Sequence, residues 1–278
     1  MGVRVVTDSA CDLPEDLVEQ LGIEIVPLTI RFGNEELVDR KELGTGEFWR
    51  RLAQSPTLPE TSAPSVGAFE EVFRRLVRDG ADGIVCINLS SKLSATMQAA
   101  QVAAKAVADE CPVEVVDSLH VSAGIGTLCI AAARMADAGR DLQTITTEVY
   151  DQRDRTKLFG TLDTLEYLRK GGRIGAARAL LGSMLSIKPV VEVRDGVVAE
   201  AGKVRTRSKA LRYLAEKLKP GQFENVSVLH GDAPDIDEFL DLLAPVAPRD
   251  EIVVSQIGPV VGTHTGPRVI GMTYQTPH

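Results

Sequence analysis

The residues of this chain best suited to chemistry are hydroxyls and one histidine, each set among turn formers. Ser90, Ser91, Ser94 and Thr96 place four hydroxyls within seven residues. Thr61 and Ser62 sit in a stretch, 55–64, held extended by Pro56, Pro59 and Pro64. His264 lies in 258–267, where three glycines and two prolines let backbone approach a ligand while fixing the imidazole. Two chemistries fit these groups. Hydroxyls at a helix start are donors for a carboxylate or phosphate, because unpaired N–H groups and the helix dipole already favour an anion there. Alternatively Ser94, His264 and an acid such as Asp117 form a nucleophile, its base and an orienter, as in an esterase. No G-x-S-x-G elbow surrounds Ser94, and the hydroxyls outnumber a triad's needs. A plain structural role is also open to each: Ser91 or Ser94 as an N-cap, His264 bonded to a loop carbonyl.

The elements that must position these groups are legible from their periodicity. Residues 83–88 are a short β-branched apolar run, a buried strand, and 99–108 are Ala-rich and helical, so the hydroxyls occupy a strand-to-helix turn. Residues 3–7 and 113–116 read as further strands and 23–32 as one long strand. Helices are expected over 45–54, from Ser65 onward with Phe69, Val72, Phe73, Leu76 and Val77 on one face, and over 121–138. Asp12 followed by Glu15 reads as a capping box. Strands alternating with helices predict a doubly wound, mostly parallel sheet with ligands beyond the strand carboxyl ends. The polar turns at Asp8-Ser9, 90–96 and Asp117-Ser118 fall on that edge. Polar residues gather over 139–151, which suggests an N-terminal α/β domain of 1–152 and a C-terminal domain of 153–278. The second part begins its regular pattern with a hairpin, 187–194 and 197–204 about a tight Asp195-Gly196 turn. A helix over 208–218, a strand over 226–230, a helix over 236–243 and strands over 252–257 and 269–274 make it a mixed α+β unit.

Bulk properties narrow the function. With 278 residues and 44% hydrophobic content, the chain can bury two sizeable cores. A net charge of −8 argues against a general nucleic-acid binder. No apolar run approaches the ~18 residues of a membrane span. Neither G-x-x-x-x-G-K-[ST] nor G-x-G-x-x-G follows a strand, which disfavours a nucleotide site. Cys11, Cys86, Cys111 and Cys129 are widely spaced without C-x-x-C, which predicts reduced thiols and no metal or other cofactor. These features together predict a cytoplasmic protein without stable membrane insertion. Charge is uneven: 153–219 hold 16 Lys and Arg against 7 acids, and Lys203, Arg205, Arg207 and Lys209 crowd one short run.

Taken in order, the segments resemble the DegV family of bacterial fatty-acid-binding proteins, carrier subunits of fatty acid kinase. The matching pieces are Val6-Thr7-Asp8-Ser9 with Asp12-Leu13, Thr61-Ser62-Ala63-Pro64-Ser65, Leu93-Ser94-Ala95-Thr96-Met97-Gln98, and Asp117-Ser118. Asp163-Thr164-Leu165, Lys170-Gly171-Gly172-Arg173-Ile174, Ile187-Lys188-Pro189, Arg205-Thr206-Arg207 and Gly262-Thr263-His264-Thr265-Gly266-Pro267 follow. The family usually has Gly and Tyr where this chain has Ala95 and Met97, and Gly where it has Arg268. The resemblance implies two α/β domains with one long-chain fatty acid between them. Its carboxylate would be held by Thr61, Ser62 and Ser94, with His264 completing the network and Arg173 near the head group. It also implies hand-over to a separate kinase catalytic subunit rather than catalysis by this chain. The basic run at Lys203, Arg205 and Arg207 then reads as a docking surface for that partner. The apolar helix over 121–138, with Ile125, Leu128, Ile130 and Met135, reads as a tunnel wall.

Overall fold

The computed structural model describes residues 2–183 and 187–278, and three sheets organise them. In chain order the first part runs β1 (Val3–Asp8), α1 (Glu15–Gln20), β2 (Glu24–Val26), β3 (Thr29–Phe32), β4 (Glu35–Val38), α2 (Thr45–Gln54), β5 (Glu60–Ser62) and α3 (Val66–Arg78). It continues with β6 (Gly83–Asn88), α4 (Thr96–Ala106), β7 (Val113–Asp117), α5 (Ala123–Asp137) and α6 (Leu142–Arg155). Then come β8 (Thr156–Thr161), α7 (Glu166–Lys170), β9 (Lys188–Arg194), β10 (Val197–Val204), α8 (Arg207–Ala215), β11 (Glu224–His230), α9 (Ile236–Leu243), β12 (Val253–Gln256), α10 (Pro259–Thr265) and β13 (Ile270–Gln275). The parallel sheet has the order β2-β1-β6-β7 and the mixed sheet β10-β9-β8-β13-β11-β12. A small antiparallel sheet, β4-β3-β5, stands beside them.

Packing follows from hydrophobic pattern. α5 is buried on nearly every residue from Ala123 to Ala133, because it lies between the parallel sheet and the mixed sheet. Its Gly126 lets the helix close on Leu13 and the Cys11 carbonyl, 2.9 and 3.1 Å from where a Cβ would be. On the outer face of the parallel sheet, α3 and α4 bury Phe69, Phe73, Leu76, Ala100 and Ala103. On the outer face of the mixed sheet, α8 and α9 bury Leu211, Leu214, Phe239, Leu240 and Leu243. All four cysteines are free and buried, and desolvation pushes the Cys11 thiol up to about 12.

The expected α/β class and parallel sheet are present, with local differences that have physical causes. The long strand expected over 23–32 breaks at Pro27, which has no N–H to give a ladder: β2 pairs with β1, while β3 joins the small sheet. The polar stretch 139–151 is mostly helix, since Asp141 caps it through Thr144 N at 2.8 Å and Ile145 and Val149 turn inward. A division at 152/153 falls in the last turn of α6. Asp12 caps no helix. It sits at φ 50 and its carboxylate accepts from Ser122 Oγ and, at 2.9 Å, from Gly258 N. The glycine-rich 258–267 segment is not an open loop but contains α10, started by Pro259 at the first helical position and ended at Gly266 with φ 74. The hairpin turn is as expected, with Asp195 at φ 51 and Gly196 at φ 78.

Candidate functional site

Four segments distant in sequence meet at one cavity. β5 contributes Thr61, the turn before α4 contributes Leu93 and Ser94, α10 contributes Val260, Val261 and His264, and the segment after α7 contributes Arg173. Leu28, Leu89, Val121, Leu168 and Val198 complete a mainly apolar wall. The void measures about 530 Å³ with its mouth. This slot is mostly apolar, with a few polar groups among its lining.

The polar end is held rigidly. Asp8, at the carboxyl end of β1, is fully buried and accepts from Leu89 N (2.8 Å), Asn88 Nδ2 (3.1 Å) and Ala10 N (3.0 Å). Desolvation dominates those donors and raises its pKa to about 6. From that anchor the chain turns: Ser90 Oγ donates to Gly196 O at the hairpin tip (2.7 Å), and Ser94 N donates to Ser90 O (3.2 Å). Ser94 Oγ lies 2.9 Å from Thr96 Oγ1 and accepts from Thr96 N at 3.3 Å, so it helps start α4 and also faces the cavity. His264 Nε2 lies 3.0 Å from Thr61 Oγ1. Burial, assisted by the Arg173 charge, pushes the His264 pKa down to about 4, so the imidazole is neutral at pH 7. Arg173 Nε and Nη1 donate to Leu93 O (3.1 Å) and Gly171 O (2.7 Å), which fixes the guanidinium over the Ser94 turn.

Of the five expected head-group residues, the structure gathers Thr61, Ser94, His264 and Arg173. Ser62 does not line the cavity, because side chains alternate along β5: Thr61 faces in and Ser62 is exposed. The expected tunnel wall also changes. Ile125, Leu128 and Ile130 enter the core between the sheets, and only Val121, just ahead of α5, reaches the cavity. Val198 and Thr265 line it without having been singled out. The alternation along the hairpin and the one-turn spacing of α10 carried that information only once the elements had docked. The expected docking run is not uniform. Arg207 is engaged by Asp235 in a bidentate pair at 2.7 and 3.0 Å, Lys203 pairs with Glu200, and Arg205 is exposed. Arg207 therefore braces its own fold. Arg268, where the family usually has Gly, stands at φ 62, a conformation glycine adopts without strain, and pairs with Asp163 at 3.5 Å. A Ser-His-Asp relay is absent among the described residues: Asp117 bonds Ser91, Ser94 bonds Thr96, and His264 bonds Thr61.

Parallel, mixed and small antiparallel sheets around a mainly apolar slot lined by a few polar side chains define a mixed α/β protein with an apolar ligand-sized cavity. The chain belongs to the DegV family, whose family model, described as "Uncharacterised protein, DegV family", matches residues 2–276. It is 38% identical to the DegV domain-containing protein SCO2569 of Streptomyces coelicolor, with 97% of each chain covered. A fatty-acid-binding DegV family protein from Thermus thermophilus superposes with a TM-score of 0.89 at 31% identity, covering 100% of both chains. A stearic-acid-binding protein from Eubacterium ventriosum superposes at 0.87 with 29% identity, covering 99% of this chain and 98% of the other.

Proposed function

We propose that this chain binds one long-chain fatty acid in the slot and presents its carboxylate to a separate fatty acid kinase subunit for acyl-phosphate formation. The single observation that carries this reading is the mixed lining of the slot: mainly apolar, with Thr61, Ser94, His264 and Arg173 as its chief polar groups and Thr61 and His264 3.0 Å apart. A buried carboxylate needs several donors. With Nε2–H of His264 given to Thr61 Oγ1, the Thr61 hydroxyl is free to donate onward, Ser94 adds a second hydroxyl, and Arg173 supplies the counter-charge. The tail contributes the larger part, since a chain of about 16 carbons is worth roughly 11 kcal/mol gross. Association costs of about 4–15 kcal/mol offset that sum. The tail then sets affinity and the polar end sets orientation. In this reading 1–152 and 153–278 are the two domains flanking the ligand, the protein works in the cytoplasm, and Lys203 and Arg205 help dock the kinase. No hydrolytic step is assigned, because His264 has no carboxylate orienter among the described residues.

Native mass spectrometry of the purified protein, followed by denaturing extraction, tests the reading. One equivalent of a long-chain fatty acid is expected; an unliganded mass that also fails to shift with added palmitate or oleate overturns it. Gly171→Ala tests the polar end. Gly171 has φ −74, which alanine tolerates, but its Cβ would fall on His264 Nδ1. The variant is expected to push the imidazole off Thr61 and weaken palmitate binding roughly tenfold, about one lost hydrogen bond to a neutral donor. An unchanged affinity with an unmoved His264 ring signal would sink that placement.

A further inference from the structure

On the outer face of the mixed sheet, β8, β13 and the C-terminal end of α8 enclose a second cavity, of about 1010 Å³ with its mouth, which shares no lining residue with the slot. Phe159 and Tyr274, on neighbouring strands, stack at its floor with ring centroids 6.3 Å apart, and Tyr213 of α8 forms a wall. The Tyr213 hydroxyl donates to Ala201 O, which fixes that ring. Lys217 Nζ lies 4.9 Å from the Phe159 centroid and 4.7 Å from the Tyr213 centroid, so two ring faces hold the ammonium in place without a carboxylate. Lys157 and Lys219 line the same cavity. Among the described residues none of these three lysines forms an ion pair, whereas Lys170, Lys188 and Lys203 each do. Lys157 Nζ reaches only Asp154 O, at 3.4 Å. Glu216 is the one acid in the lining.

We propose that this cavity binds a small molecule through a phosphoryl group, with Lys157, Lys217 and Lys219 as its counter-charges. The lining carries three cations against one acid on a chain of net charge −8, so positive potential gathers at a place where the chain as a whole is acidic. Like charges in one cavity repel, and an anion among them removes that cost. The aromatic floor excludes water from one side, which strengthens each ammonium–oxygen contact. Lysines are point charges with rotating donors and suit the tetrahedral oxygens of a phosphoryl group, whereas a planar carboxylate is best met by a guanidinium fork. A phosphoryl group also carries more than one charge near pH 7, enough to engage more than one lysine. Gln222 and Thr276 add neutral polar groups, and the rings of Tyr213 and Tyr274 leave an apolar surface for an organic body beside the phosphoryl oxygens.

The test uses the full chain in calorimetric titrations with inorganic phosphate, pyrophosphate and phenyl phosphate, against acetate and chloride at matched ionic strength. Saturable one-to-one binding of a phosphoryl compound is expected. Tighter binding of phenyl phosphate than of phosphate would identify a phosphate ester as the source, and the reverse order a free phosphate; both are forms of the proposal. Lys217→Met, which keeps the apolar stem over the rings, is expected to weaken binding roughly tenfold, and Glu216→Gln to tighten it a few-fold. Should Lys217→Met not fold, Lys219→Gln at an exposed position is expected to weaken binding a few-fold, while Lys105→Gln on α4 leaves it unchanged. Ring signals of Tyr213 and Tyr274 are expected to shift on titration, and that of Tyr167, which packs on Gly266 at the end of α10, to stay put. No saturable binding, equal binding of acetate, indifference to both lysine variants, or a shift at Tyr167 alone each overturns the proposal. These readouts need no fatty acid, so they stand apart from the outcome at the slot.

Discussion

Thr61→Val combined with Ser94→Ala is expected to weaken palmitate binding by roughly 10²–10⁴-fold while the chain stays folded. Each lost hydrogen bond to a charged acceptor is worth about 1.5–3 kcal/mol, and two are removed. Valine suits the β5 position of Thr61, and alanine removes from Ser94 only its hydroxyl. Loss of the Ser94 bond to Thr96 and the Thr61 bond to His264 is expected to cost about 1–3 kcal/mol of stability. Calorimetric titration with palmitate and a urea melt measure the two effects separately. Affinity within threefold of wild type would mean that the carboxylate does not sit at this end of the slot.

Asp8→Ala is expected to be the most damaging single change to the fold. It leaves Leu89 N, Asn88 Nδ2 and Ala10 N without an acceptor in a fully buried place, at about 1–3 kcal/mol each. Against a total stability of about 5–15 kcal/mol, that loss takes much or all of the margin. The penalty depends on pH, with a definite sign. The folded-state pKa of Asp8 is raised to about 6, so the folded protein holds this proton when the unfolded chain has released it. The contribution of Asp8 is thus complete below about pH 4 and falls as pH rises through 6. Urea unfolding at pH 5 and 7.5 should show a larger deficit for Asp8→Ala at pH 5. Equal midpoints for variant and wild type at both pH values would show that the three donors find water instead.

The same anchor explains how the site came to be partly legible. Thr61, Ser94 and His264 stood out because each lies among residues that restrict backbone: three prolines around Thr61, a strand-to-helix turn at Ser94, glycines and prolines around His264. Such restrictions are local and are written in sequence. Ser62 looked equivalent to Thr61 because the two are adjacent hydroxyls. Which of them faces inward depends on the register of β5 on β3, with Thr61 opposite Ile30, and a shift by one residue would exchange them. Arg207 looked like its neighbour Arg205 until α9 brought Asp235 against it.

The sequence by itself determined the elements with strong period or punctuation. Thr45–Gln54, Gly83–Asn88, Ile236–Leu243 and the hairpin about Asp195-Gly196 fall where expected, because amphipathic spacing, a β-branched run and a left-handed turn are properties of neighbouring residues. The parallel order of the first sheet followed from alternation of strand and helix, and so did the edge that carries the Ser94 turn. Tertiary structure alone decided that α5 belongs to the core between the sheets rather than to the slot, since an all-apolar helix suits either place. It also decided that Asp12 ties the start of α10 to the short turn Ser9–Cys11 after β1 and that Asp39 lies buried. Those pairings join residues far apart in the chain, and their energy exists only when both segments are already in place.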